Sequence, residues 1–166
     1  MMDQRCCAYS FLKETSRQCD YEIATDELAS MIAMTVHRTK HQPELMKICE
    51  LVYHANGSIR GRLAVSQQDF DWLSDLYERL TEENGPCRHF VLPSGCEGAC
   101  ALHVLRSRCK AILRIAYAID REEKKVPSLI LDFFNCLSNV FFQMALKENR
   151  MEHVEEIPFV SRSYDC

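Results

Sequence analysis

Apolar residues recur at helical spacing through most of the chain, and polar breaks divide them into five segments. From Tyr21, the residues Ile23, Leu28, Ile32 and Val36 follow the period of a half-buried helix, with Thr25-Asp26-Glu27 inside its first turns. His37 to His41 is polar, and Pro43 suits the first turn of a second helix, where its missing N–H costs nothing. Leu45, Ile48, Leu51, Val52 and Ala55 carry that helix towards Ile59 and Leu63, while Gly57 and Gly61 weaken its interior or mark a kink. Ser66 has N-cap chemistry for a third helix with Phe70, Leu73, Tyr77 and Leu80 on one side, ended by Asn84-Gly85-Pro86. A fourth begins after Pro93 and runs to about Ile119. Glu122 to Lys125 is a solvated charge run, and Pro127 opens a fifth through Leu129, Phe133, Leu137, Phe141 and Ala145.

Five helices with short connections predict an all-α fold, a five-helix antiparallel bundle. Only Phe90 to Leu92 reads as strand-like. The fifth helix is apolar on more than one face, through Phe133, Phe134, Phe141 and Phe142. Such a helix is buried in its own bundle or against another subunit, and the second reading fits an oligomer. The chain divides into an N-terminal segment (1–17), the bundle (18–150) and a C-terminal tail (151–166).

With 166 residues and 47% hydrophobic positions, the chain can bury a real core as one domain. A net charge of −4 argues against a general nucleic-acid footprint. The absence of a long apolar run or a basic-then-apolar leader predicts no membrane association and a cytoplasmic protein. The ten cysteines do not form the paired C-x2-C knuckles of structural zinc sites, so no metal site is expected and reduced thiols are the favoured reading. Cys96 and Cys100, four apart, share a helix face and leave a metal or cobalt contact open.

The most informative stretch is His89 to Arg106. A short apolar run stops at Pro93-Ser94-Gly95, breaker and N-cap chemistry that feeds a helix N-terminus. Gly95, Gly98, Ala99 and Ala101 on its first turns let another backbone or a large flat ligand approach closely. Phe90-Val91-Leu92-Pro93-Ser94-Gly95, followed by Leu102-His103 and Arg106, resembles the signature of the PduO-type ATP:cob(I)alamin adenosyltransferases. Ala24-Thr25-Asp26-Glu27-Leu28 and Phe134-Asn135-Cys136-Leu137-Ser138-Asn139 are similar to two further motifs of that family. With Leu45 to Gly61 and Val65 to Phe90, the resemblance covers roughly residues 20 to 148 in order.

The resemblance implies transfer of the adenosyl group of ATP to the cobalt of reduced cobalamin, in a five-helix bundle that assembles as a homotrimer with active sites between subunits. Cobalamin is then the corrinoid substrate, and ATP with Mg²⁺ the adenosyl donor. Phe90 matches the aromatic residue that crowds the lower face of the corrinoid. Asp26 and Arg106 match an acid and a base that pair across the subunit boundary, and Asn135 matches an asparagine near the nucleotide. Lys110 and Arg114 fall in the family's cationic run on the long helix.

The nucleotide side departs from the family. Met1 to Thr15 contains no glycine where members carry a glycine-rich triphosphate loop. Cys109-Lys110-Ala111-Ile112-Leu113-Arg114 stands where the family has C-R-R-A-E-R, so Lys110 replaces an arginine and Leu113 a glutamate. Cys136 and Asn139 replace an arginine and an aspartate. Two readings from different classes follow: an adenosyltransferase with weakened ATP binding, or a non-catalytic corrinoid- or tetrapyrrole-binding carrier with a degenerate ATP site; a scaffold that has lost both ligands is the plainer third.

Each residue also has a plainer expectation. Phe90 reads as core, Asp26-Glu27 as helix N-terminal acids favoured by the dipole, and Arg106 as one face of a solvated basic helix. His103, if inward-facing, reads as a satisfied core histidine. Asn135 within an apolar helix implies a buried amide that needs partners.

Overall fold

The computed structural model describes residues 4–6, 11–87 and 89–163. A short 3₁₀ turn at Gln4–Cys6 precedes five α-helices: α1 (Arg17–Val36), α2 (Gln42–Gly57), α3 (Gln67–Asn84), α4 (Glu97–Glu122) and α5 (Ser128–Met151). α1 packs between α2 and α4, and α5 packs between α4 and α3. Among the described residues there is no strand, only one antiparallel bridge between Val91 and Pro158.

The helix ends are set by capping chemistry. α1 begins at Arg17 rather than Tyr21 because Ser16 caps it, accepting the Gln18 N–H at 3.1 Å and donating to Glu123 at 2.6 Å. α3 starts with a reciprocal capping box between Ser66 and Asp69 and ends at Gly85, whose φ of +73° suits glycine. α2 stops at Gly57 instead of continuing to Leu63. Ile59 still enters the core, whereas Leu63 is exposed. α4 starts at Glu97, with Cys96 as its N-cap, and reaches Glu122.

The core runs the length of the bundle through Tyr21, Leu28, Ile32, Leu45, Ile48, Leu73, Leu102, Leu105, Phe133, Phe134 and Phe141. Ile23, counted above with the apolar face of α1, is exposed instead. The apolar breadth of α5 is consumed within the chain, because it faces α4 on one side and α3 on the other. It therefore gives no argument for a subunit contact. α5 is long and apolar enough to cross a membrane by length and hydropathy, contrary to the expectation of no such run, but 61% of that window is buried inside the bundle.

Candidate functional site

The turn after Phe90 is built around Asn149, which is 1% exposed near the end of α5. Its amide donates to the Ser94 carbonyl at 3.0 Å and to Glu156 at 2.9 Å, and its oxygen accepts the Cys96 N–H at 2.9 Å. Gly95 has φ +126°, and a Cβ there would sit 2.0 Å from the Asn149 oxygen. A Cβ on Gly98 would lie 2.6 Å from the Arg38 carbonyl. Gly95 and Gly98 thus admit the Asn149 side chain and the backbone just after α1. The tail closes the arrangement: Leu92 N–H donates to the Ile157 carbonyl at 2.9 Å and Phe159 N–H to the Phe90 carbonyl at 2.7 Å.

Held this way, Phe90 projects outwards and is 74% exposed, so the core expectation for it does not hold. It forms one wall of a pocket of about 390 Å³ with Cys87, His89 and Val91; Arg106 and Lys110 of α4 and Asn139 and Phe142 of α5 form the other. Phe142, Asn139 and His89 line the pocket although no motif assigned any of them a ligand-binding role: Asn139 stood out only as the replacement of a family aspartate, and Phe142 only as part of the apolar breadth of the fifth helix. The signal for the α5 pair was available, because Asn135, Asn139 and Phe142 recur at one-turn spacing on one face.

Arg106, Lys110 and Arg114 stand four residues apart along α4 and span roughly 12 Å. None has an acidic partner among the described residues, whereas Arg108 pairs with Glu27 and Arg17 with Glu122. Like charges at this spacing repel, so the stripe is ready to accept an anion. Arg106 is half-buried, with its guanidinium carbon 5.9 Å from the Phe142 ring, and Lys110 and Arg114 are exposed. Arg106 is therefore not simply part of a solvated face.

Asp26 lies in the middle of α1, not in its first turn, so the helix-dipole explanation fails for it. It is exposed and accepts the Tyr53 hydroxyl at 2.5 Å, a bond that raises the phenol's pKa. No ion pair joins Asp26 to Arg106 within the chain among the described residues. Asn135 is exposed, so the buried-amide argument for it fails; neither it nor Arg114 lines the pocket, and Asn135 stands one turn before Asn139, which does. Leu113 and Cys136 pack partly against the core, and burial pushes the Cys136 thiol up to about 11.

His103 is buried as expected but not satisfied, since neither ring nitrogen has a hydrogen-bond partner. Cys6, Cys19, Cys49, Cys87, Cys96, Cys100, Cys109 and Cys136 are all free. No group of three or more metal-ligating side chains occurs among the described residues. Residues 1–3 and 7–10 of the glycine-free N-terminal segment lie outside the described residues.

A family model described as cobalamin adenosyltransferase matches residues 11–148. The chain is 23% identical over 146 residues to the corrinoid adenosyltransferase of Bacillus subtilis (strain 168), covering 81% of this chain and 75% of that protein. It is 28% identical over 96 residues to the corrinoid adenosyltransferase of Citrobacter freundii, covering 58% and 54%. Its fold superposes with a TM-score of 0.80 on a phenylalanine-to-alanine variant of the PduO-type ATP:corrinoid adenosyltransferase from Lactobacillus reuteri complexed with cobalamin and ATP, at 23% identity over 89% of this chain and 88% of that one. An arginine-to-lysine variant of that protein, complexed with ATP, gives 0.76 at 24% identity, over 88% and 89%. With the family match spanning most of its length and the same all-helical fold beneath it, the chain belongs to the cobalamin adenosyltransferase family.

Proposed function

We propose that this protein binds a corrinoid against Phe90 and transfers the adenosyl group of ATP to cob(I)alamin, with ATP held more weakly than a full family site would hold it. The observation that carries the reading is the pocket in which an exposed Phe90 faces the unpaired cations of α4. An apolar wall beneath the ring keeps a base off the cobalt, which eases its reduction. The cobalt then attacks the ribose 5′ carbon, forming the cobalt–carbon bond, while the bond to the triphosphate oxygen breaks and the triphosphate leaves with the electron pair. Lys110 and Arg114 would stabilise that leaving charge, aided by Mg²⁺ on the nucleotide, with Asn139 lining the same pocket as Lys110 and Asn135 one turn before it on α5.

The pocket is small for so large a ring, and Phe90 has no cover on its outer side. Both features support a site completed by a neighbouring subunit, in a homotrimer where Asp26 of one chain meets Arg106 of the next. Asp26→Ala would then weaken corrinoid binding, and light scattering at micromolar concentration would report the assembly. A monomer there contradicts it.

One observation favours the carrier reading: Leu113, where the family has a glutamate, packs on the core and offers nothing to a nucleotide or its metal. An anaerobic assay with chemically reduced cobalamin and Mg-ATP decides. Adenosylcobalamin formation supports the enzyme; saturable corrinoid binding with no product and no calorimetric response to Mg-ATP supports the carrier.

A further inference from the structure

His103 sits one helical turn before Arg106 on α4 and is 3% exposed, yet both its ring nitrogens lack a hydrogen-bond partner. The Arg106 Nε is equally buried and equally unpartnered. The ring of Phe142 touches both environments, 6.1 Å from the imidazole centroid and 5.9 Å from the guanidinium carbon. Burying a polar group without a partner forfeits its hydration for nothing, so two such groups on one face call for an explanation. They are complementary. Arg Nε–H can only donate, and a neutral imidazole keeps one nitrogen as an acceptor. Burial, then the adjacent Arg106 charge, hold His103 down to about 4, so the ring stays neutral across the physiological range.

We propose that His103 is a positioning residue for Arg106. When the outer guanidinium nitrogens engage an anion or an acid at the pocket mouth, the Nε–H turns to donate to the unprotonated imidazole nitrogen. That bond fixes the plane of the guanidinium beside the Phe142 wall. The inference rests on the site proposed above. It also explains why a polar ring is kept where an apolar one would pack without cost. A purely structural His103 would be matched or bettered by leucine.

The test is cobalamin titration of the wild type, His103→Leu, His103→Gln, Arg106→Ala and the Arg106→Ala/His103→Leu pair, each with a melting curve. His103→Leu is expected to melt no lower than the wild type while binding cobalamin about tenfold more weakly, the loss of one charge-assisted hydrogen bond. His103→Gln, which restores an acceptor, recovers most of the affinity. The double variant binds no worse than Arg106→Ala alone, because His103 acts through Arg106. Equal cobalamin affinity in His103→Leu, or full additivity in the double variant, overturns the proposal.

A second readout does not depend on a corrinoid. The Arg106 Nε–H signal in nitrogen-15 NMR should become protected from exchange when inorganic tripolyphosphate is added to the wild type and to His103→Gln, but not to His103→Leu. Protection that is independent of the residue at 103 also overturns the proposal. A wild type that binds no cobalamin overturns the site reading instead, and the NMR comparison still decides the pairing.

Discussion

Asn149→Ala should destabilise the bundle more than any substitution on the exposed pocket wall. Asn149 is 1% exposed and satisfies three groups at once, the Ser94 carbonyl, the Cys96 N–H and the Glu156 carboxylate. A neutral hydrogen bond contributes about 1 kcal/mol and one to a charged group about 1.5–3 kcal/mol, and a partner left buried and unpaired loses its hydration as well. The sum is about 3–5 kcal/mol, in the range reserved for broken buried networks. For a chain of this size that corresponds to a fall in melting temperature of roughly 6–20 °C. Urea denaturation followed by helical circular dichroism measures it directly. Asn149→Asp separates the parts: it keeps the acceptor for Cys96 N–H but loses both donors and sets a second carboxylate against Glu156, so it should cost a comparable amount. A loss below about 1 kcal/mol in both variants would refute the claim that this amide organises the turn.

Other expectations follow from the same geometry. Phe90→Ala should leave stability within about 0.5 kcal/mol, because the ring is 74% exposed, while shifting the visible spectrum of bound cobalamin towards the more highly coordinated form; an unchanged spectrum removes Phe90 from the site. Stability should fall as pH drops from 6.5 through about 4, because the unfolded chain protonates His103 first, and this residue alone accounts for about 3 kcal/mol; denaturation curves across that range should flatten in His103→Leu, and an unaltered slope refutes the assignment. His41, held low mainly by burial, adds to the same loss with the same sign. Lys110→Arg should tighten Mg-ATP binding about tenfold by restoring two-pronged contact with phosphate; calorimetry showing no gain would place Lys110 outside the nucleotide path.

The helices were legible because their apolar periods are long, and the errors lie where tertiary contacts decide. Arg17 to Asp20 shows no apolar period, yet the Ser16 cap and its tie to Glu123 on the far side of the bundle extend α1 through it. Gly57 stops α2 although Ile59 continues the pattern into the core. The breadth of α5 could be read as a buried helix or as a subunit surface, and only its position between α3 and α4 separates the two. In the signature stretch the glycines were legible as close-approach positions, but not that Asn149, more than fifty residues away, is what approaches Gly95. Phe90 and Asn135 show the same limit from opposite sides. The sequence pattern favoured core for the first and burial for the second, and both face out. What exposes Phe90 is its pairing with the tail through Phe159, a contact that no local pattern encodes.

The most direct test of the account is an anaerobic absorption titration of the full chain with cob(II)alamin in the presence of Mg-ATP, run beside Phe90→Ala. The account requires saturable binding to the wild type, with the spectrum of a cobalt freed from its lower ligand, and loss of that spectrum in Phe90→Ala at matched occupancy. No spectral change in the wild type at any protein concentration, or the same spectrum in both proteins, would contradict it.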